Sequence, residues 1–193
     1  GVVIDFGGPP GWADNAETFW RKQAREGRGG RFYLSMGRPG FSQRDRVWHE
    51  APERAAGGKK ARGIKLLNMA VDRLKDSVIA ALGRTDTPVN AQQLPKWMGA
   101  EHVAEHLAEV RTDKGWVLKK GQVRNESLDQ SVQGLALAEH LGLNRINWEA
   151  PPAWCLAGPD NPNAVSIARP NDPDSARETP APSRPKTIGY LRR

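Results

Sequence analysis

The sequence has little cysteine, since its 193 residues contain only Cys155. One thiol cannot form an internal disulfide or a zinc site of several thiolates, so disulfide scaffolds and zinc fingers are excluded. No apolar run approaches the roughly 18 residues that a membrane span requires, and no secretory signal is present. These absences predict a protein that relies on an apolar core, works in a reducing compartment and does not enter a membrane.

The chain also lacks an initiator methionine and a P-loop for nucleotide phosphates. It begins at Gly1, inside an apolar run, which predicts a segment of a longer polypeptide. Because no G-x-x-x-x-G-K-[ST] motif occurs, any ATP hydrolysis is predicted to lie elsewhere.

Acidic residues are in the minority, with 22 Asp and Glu against 29 Lys and Arg, so the net charge is +7 and the predicted partner is an anion. Residues 21–65 hold thirteen of these cations, with aromatic residues among them. This pattern is typical of a surface that binds the DNA phosphate backbone. The candidate contacts are Arg44, Arg46, Lys59 and Lys60. A loop that only increases solubility remains an alternative interpretation.

Proline divides the chain near Trp148. Residues 149–193 contain nine of the fifteen prolines and few apolar residues. They are predicted to form a largely disordered tail, because they cannot bury enough apolar surface to offset the entropy of ordering. Residues 1–148 have the size of a single domain.

Within that domain, short apolar runs alternate with segments whose apolar residues recur at helical spacing. Strands are predicted at residues 1–6, 31–36, 64–71 and 116–120, and helices at 16–26, 72–82, 100–110 and 125–141. Residues 37–62, rich in Gly and Arg, are predicted to form a long loop. Alternating strands and helices indicate an α/β layer architecture.

Three acids are candidates for a metal site. Glu126 and Asp129 lie three residues apart and therefore share a face of the last predicted helix. Asp5 ends the first strand, where α/β folds place their sites. Carboxylates are the ligands of Mg²⁺ and Mn²⁺, and two such ions can activate a water and stabilise the leaving oxygen in phosphodiester cleavage. Alternatively, Glu126 and Asp129 only stabilise the helix dipole.

Two further features of the sequence are candidates for the same site. Asp72 follows the third strand, and it is either a helix N-cap or a further acid of the site. A basic segment precedes Glu126, and its candidate DNA contacts are Lys119, Lys120 and Arg124.

Three stretches resemble, in order, the C-terminal nuclease domain of the large terminase subunit of lambda-like tailed phages. Residues 3–8 (VIDFGG) are similar to that family's IDSGG-type strand, and residues 67–76 (LNMAVDRLKD) to its VGVDxxKD stretch. Residues 124–129 (RNESLD) resemble its RNEALD motif, which is the most specific of the three. The likeness covers roughly residues 1–142, with Phe6 in place of the family's small serine.

The resemblance implies a ribonuclease-H-like fold, a mixed sheet flanked by helices, and a two-metal endonuclease that cuts concatemeric DNA during packaging. It implies Asp5 and Glu126 as ligands of Mg²⁺ or Mn²⁺, Asp129 as a further ligand or orienting acid, and Asp72 as a participant. The family's first strands, with its first catalytic Asp, precede the IDSGG strand. The fold of this chain is therefore expected to be partial, with those strands missing.

The resemblance also implies partners and a location. The expected partners are double-stranded DNA, the portal protein, the small terminase subunit and an upstream ATPase domain. The expected location is the cytoplasm of an infected or lysogenic bacterial host. The competing hypothesis is a non-catalytic module that binds DNA or docks on the portal, with acids that only cap helices.

Overall fold

Strands and helices follow one another through most of the chain in the computed structural model, which describes residues 1–39, 45–52, 63–87, 90–155 and 161. The strands are β1 (Val2–Asp5), β2 (Phe32–Arg38), β3 (Val47–Glu50), β4 (Leu66–Ala70), β5 (Glu109–Thr112) and β6 (Gly115–Leu118). The helices are α1 (Trp12–Arg25), α2 (Val71–Leu82), α3 (Ala100–His106) and α4 (Glu126–His140). None of the helices in these residues is both long and apolar enough to cross a membrane.

Contacts divide the chain into two units, Gly1–Arg145 and Ile146–Arg193. The second unit contains a short 3-10 helix at Ala153–Cys155. Most of the predicted disordered tail, residues 156–160 and 162–193, lies outside the described residues.

Four strands form one mixed sheet in the order β1-β2-β4-β3. The first three are parallel, and β3 pairs antiparallel with β4. Because Asp5 is paired with Ser35 and Arg38 with Ala70, the carboxyl ends of the parallel strands meet at one edge. This edge is where an α/β sheet places its binding crevice.

Helices cover both faces of this sheet, which explains why all five residues of β4 are buried. Leu66 packs with Leu34 and with Ala16 of α1 on one face. On the opposite face, Met69 packs with α2 and α4, through Leu74, Val78, Leu128, Val132 and Ala136. The predicted α/β architecture is confirmed as a mixed sheet flanked by helices.

Two element predictions were wrong. Residues 37–62 were predicted to be loop, yet Val47–Glu50 forms β3, because β4 offers an edge that only the folded sheet reveals. Residues 100–110 were predicted to be one helix, but α3 ends at His106 and Glu109 begins β5. The N-cap interpretation of Asp72 is also wrong, since α2 begins at Val71 and places Asp72 in its first turn.

The β5–β6 hairpin is a separate two-stranded sheet that α2 holds through acidic side chains. The backbone N–H of Trp116 donates to Asp72 Oδ1 at 3.0 Å, and its indole Nε1 donates to Asp76 Oδ1 at 3.0 Å. Gly115 has φ +121°, and a Cβ there would lie 2.9 Å from Asp72 Oδ1. Glycine is therefore required for this close approach.

Candidate active site

A cavity of about 410 Å³ lies at the carboxyl edge of the parallel strands. Asp5 of β1 and Glu126 and Asp129 of α4 all line it, so the structure brings together the three acids predicted as metal ligands. The other lining residues are Trp12, Gly37, Met69, Val71, Lys75, Gln130, Val132 and Gln133. The common face of Glu126 and Asp129 follows from their spacing in α4.

Asp5 is held by the turn that follows its strand. Its Oδ1 accepts a hydrogen bond from the backbone N–H of Gly7 at 2.9 Å. The carboxylate is nevertheless exposed, as is Glu126, the first residue of α4. Both groups are therefore accessible to a ligand that enters the cavity.

Asp129 is held more firmly than the other two acids. Its Oδ1 lies 3.0 Å from Lys75 Nζ, and its Oδ2 accepts from Asn125 Nδ2 at 3.1 Å. The lysine and the asparagine therefore fix the orientation of this carboxylate. The structure thus gives Asp129 the contacts of an oriented acid on the wall of the cavity.

Lys75, Glu109 and Asn125 form a buried network that the sequence analysis missed. Lys75 Nζ donates to both carboxylate oxygens of Glu109 at 2.8 Å, and Asn125 Nδ2 donates to Glu109 Oε1. The side chains of Lys75 and Glu109 are only 7% and 5% exposed. Lys75 and Asn125 do occur in the motif stretches, but no local signal connects them with Glu109 on the hairpin.

Asp72 contacts the β5–β6 hairpin. It does not line the cavity, and its carboxylate accepts the hydrogen bond of Trp116 at the base of the hairpin. This contact secures the hairpin that carries Glu109.

A glutamate on α3 caps the helix that carries Glu126. Glu105 Oε2 accepts from the backbone N–H of Ser127 at 3.1 Å and from its hydroxyl at 2.8 Å. These hydrogen bonds, those of the hydroxyl first, lower the pKa of Glu105. The N-terminus of α4, and with it Glu126, is therefore positioned by a neighbouring helix.

The predicted DNA-binding residues have varied surroundings. Arg44, Lys59 and Lys60 lie outside the described residues. Arg46 is half-buried between Ser77 Oγ at 2.9 Å and Glu139 Oε1 at 3.0 Å, so its guanidinium already has protein partners.

The basic segment before α4 is more open. Lys119, Lys120 and Arg124 are exposed, although Lys119 Nζ donates to the Leu107 carbonyl at 2.7 Å and Arg124 Nε lies 3.5 Å from Glu105. These three cations therefore remain available at the surface for an anionic partner.

The donor set of the cavity suits a hard cation, because carboxylate oxygens are what Mg²⁺ and Mn²⁺ prefer. Among the residues that the structure describes, no group of three Asp, Glu, His or Cys side chains is close enough to hold a metal ion. The three acids thus share one cavity without forming a closed set of ligands. An ion bound by one or two of these acids would therefore need water or phosphate oxygens as its remaining ligands.

A larger cavity of about 560 Å³ lies at the opposite end of the strands, with Tyr33, His49 and Lys65 in its wall. The ring of His49 lies 4.5 Å from that of His140, and burial lowers the pKa of both histidines. No acid predicted for the metal site lines this cavity.

The family model for the endonuclease domain of terminase large subunit gpA matches residues 1–148. Neither the curated proteins nor the solved structures compared with the chain gave a match. The family match spans β1, α2 and α4, the elements that supply the acids and the lysine of the cavity. The chain therefore belongs to the terminase large subunit gpA endonuclease domain family, and its role is that of a nuclease in phage DNA packaging.

Proposed function

We propose that this domain is a metal-dependent endonuclease that cuts concatemeric phage DNA with Mg²⁺ or Mn²⁺ as its cofactor. The observation that carries the proposal is that Asp5, Glu126 and Asp129 line one cavity at the carboxyl edge of the sheet. Two metal ions would supply an activated water and stabilise the leaving oxygen of the phosphodiester. The mixed sheet with helices on both faces supports a ribonuclease-H-like fold for this chemistry.

The residues of the chain have distinct parts in this proposal. Asp5 and Glu126 are exposed to the cavity and would bind the metal directly. Asp129 would be a further ligand or an orienting acid, since Lys75 and Asn125 hold its two oxygens. Asp72 would contribute by securing the hairpin, because its carboxylate accepts from Trp116.

The proposed partners follow from the family. They are double-stranded DNA, the portal protein, the small terminase subunit and an ATPase domain of the same large subunit. The proposed setting is the cytoplasm of the bacterial host.

The test is cleavage of supercoiled plasmid by the full-length large subunit with Mg²⁺, with Mn²⁺ and with a chelator. We expect nicked and linear DNA with either ion and none with the chelator, because without a cation nothing at the acids offsets the negative charge of the phosphodiester and of its leaving oxygen. DNA binding without cleavage under every metal condition would instead support the non-catalytic DNA-binding or portal-docking module.

The basic segment before α4 gives a prediction about DNA affinity. Replacing Lys119, Lys120 and Arg124 with Gln should weaken binding to any DNA sequence and flatten its dependence on salt. Each lost phosphate contact removes about 0.9 from the slope of log affinity against log salt concentration. Binding isotherms at several salt concentrations measure this slope, and Lys96→Gln, an exposed lysine of another loop, serves as the matched control.

The same measurement applies to the basic stretch of residues 21–65. Neutralising Arg44, Lys59 and Lys60 should flatten the slope further. Arg46→Gln should have less effect on the slope than any of them, because Glu139 and Ser77 already bind its guanidinium. An unchanged slope in the combined variants would assign these charges to solubility.

A further inference from the structure

An exposed tryptophan lines the cavity that contains the three acids. Trp12, the first residue of α1, is 61% exposed and lines the same cavity as Asp5, Glu126 and Asp129. An indole usually packs inside a protein, because it has more apolar surface to bury than almost any other side chain. Trp97 and Trp148 are exposed as well, but neither of them lines this cavity, so the ring of Trp12 is the one that a ligand bound at the acids can reach within the described residues.

The indole is held in place by the turn that also positions Asp5. The backbone N–H of Trp12 donates to the carbonyl of Pro9 at 3.1 Å. A Cβ on Gly8, whose φ is +119°, would lie 3.5 Å from Cβ, Cδ2 and Cε3 of Trp12, so the ring packs close to the Gly8 backbone. The turn between β1 and α1 therefore fixes both the first acid of the cavity and an aromatic ring beside it.

The indole can make an uncharged contact that the charged side chains of the cavity cannot make. Three carboxylates against the one ammonium of Lys75 give the lining a formal charge of −2, which the divalent metal ions of the proposed function would offset. A nucleobase is uncharged and has a flat π-face, and stacking on an aromatic side chain is attractive and tolerant of sequence. The indole can therefore add an uncharged contact to a base, beside the phosphate that the acids and their metal ions would bind.

We propose that Trp12 stacks on a nucleobase that leaves the duplex stack next to the scissile phosphate of the strand being cut, and so positions that phosphate over the acids. The inference rests on the proposed endonuclease function and adds a substrate-binding residue to it. Gln130 and Gln133 of α4 also line the cavity, and their amide groups can pair with the edge of the stacked base.

The first experiment compares two apolar replacements in the full-length large subunit. Trp12→Phe keeps an aromatic face, whereas Trp12→Leu removes it and leaves an apolar side chain. We expect Trp12→Leu to raise KM or lower kcat/KM for DNA cleavage by about 5- to 150-fold, the range found for base stacking, and Trp12→Phe to recover most of the loss. Trp97→Leu is the control, because Trp97 is 83% exposed and does not line the cavity.

The second experiment locates the stacked base. A set of duplexes, each with one abasic nucleotide at a successive position around the cut, is assayed with the wild type and with Trp12→Leu. At the stacked position the abasic nucleotide should slow the wild type and have little further effect on the variant, because both changes remove the same contact. Thermal unfolding of each variant checks that the fold is retained.

The outcomes separate this inference from the proposed function. If the wild type cuts DNA and Trp12→Leu cuts it with the same KM and kcat, stacking is refuted and the nuclease stands. Equal losses for Trp12→Phe and Trp12→Leu, or abasic effects that add at every position, also overturn stacking. A wild type that cuts no DNA with either metal ion refutes the nuclease itself and, with it, the stacking role.

Discussion

Replacing Glu126 with Gln should lower the rate of DNA cleavage by about 100-fold or more and leave DNA affinity nearly unchanged. Glu126 is exposed at the first position of α4 and faces the cavity shared with Asp5 and Asp129. A neutral amide of the same size binds Mg²⁺ more weakly than a carboxylate, and a catalytic metal supplies several kcal/mol of transition-state stabilisation. Single-turnover cleavage assays and DNA-binding isotherms measure the two quantities separately.

The control for this variant is Glu101→Gln. Glu101 is an exposed acid in the first turn of α3 and does not line the cavity, so its replacement should leave cleavage unchanged. Glu126→Gln protein that melts like the wild type and still cuts DNA at the wild-type rate would refute the role given to Glu126. Equal losses of cleavage and DNA binding would show that the change disturbs the fold instead.

Replacing Lys75 with Met should cost about 3–5 kcal/mol of the free energy of unfolding, because it leaves the buried Glu109 carboxylate without its cation. Lys75 donates to both oxygens of Glu109, and both side chains are almost completely buried. The contact with Asp129 adds little, since that carboxylate is 42% exposed and water screens the pair. Urea denaturation followed by circular dichroism gives the measurement.

Two comparisons make this prediction sharp. Lys22→Met removes an exposed lysine from α1 and should change the free energy of unfolding by less than about 0.5 kcal/mol. The double variant Lys75→Met with Glu109→Leu should recover part of the loss, because it replaces both buried charges with apolar groups. A Lys75→Met variant as stable as the wild type would mean that Glu109 finds water or another donor.

The sequence predicts those parts of the fold whose signals are local. β1, β2, β4 and α4 follow from apolar runs and helical spacing. β4 has the strongest signal, because it lies inside the sheet and helices bury all five of its residues. β3 has no such signal, since Val47–Glu50 is a short mixed segment in a basic stretch and becomes a strand only by pairing with β4. The end of α3 at His106 has no local signal either. Glu109 lies in β5 and binds Lys75, which is distant in sequence.

Local signals likewise predict only part of the candidate site. Asp5, Glu126 and Asp129 could be grouped from strand ends and helix spacing, and the structure places them on one cavity. The partners of Asp129 and the exposure of Trp12 could not, because they depend on how α1, α2 and the hairpin pack. Asp72 has a contact that the sequence does not reveal, since its carboxylate accepts from the backbone N–H of Trp116 on the hairpin.

The placement of the acids at the two ends of the domain has a consequence for the order of synthesis. Asp5 lies on the first strand, whereas Glu126 and Asp129 lie on α4, the last helix of the first unit. A ribosome therefore releases the first acid long before the other two, and domains fold largely as units once their chain is complete. A nascent or truncated chain that stops before α4 lacks two of the three acids that line the cavity. Under the proposed function, such a chain is expected to be inactive as a nuclease during translation without an inhibitor.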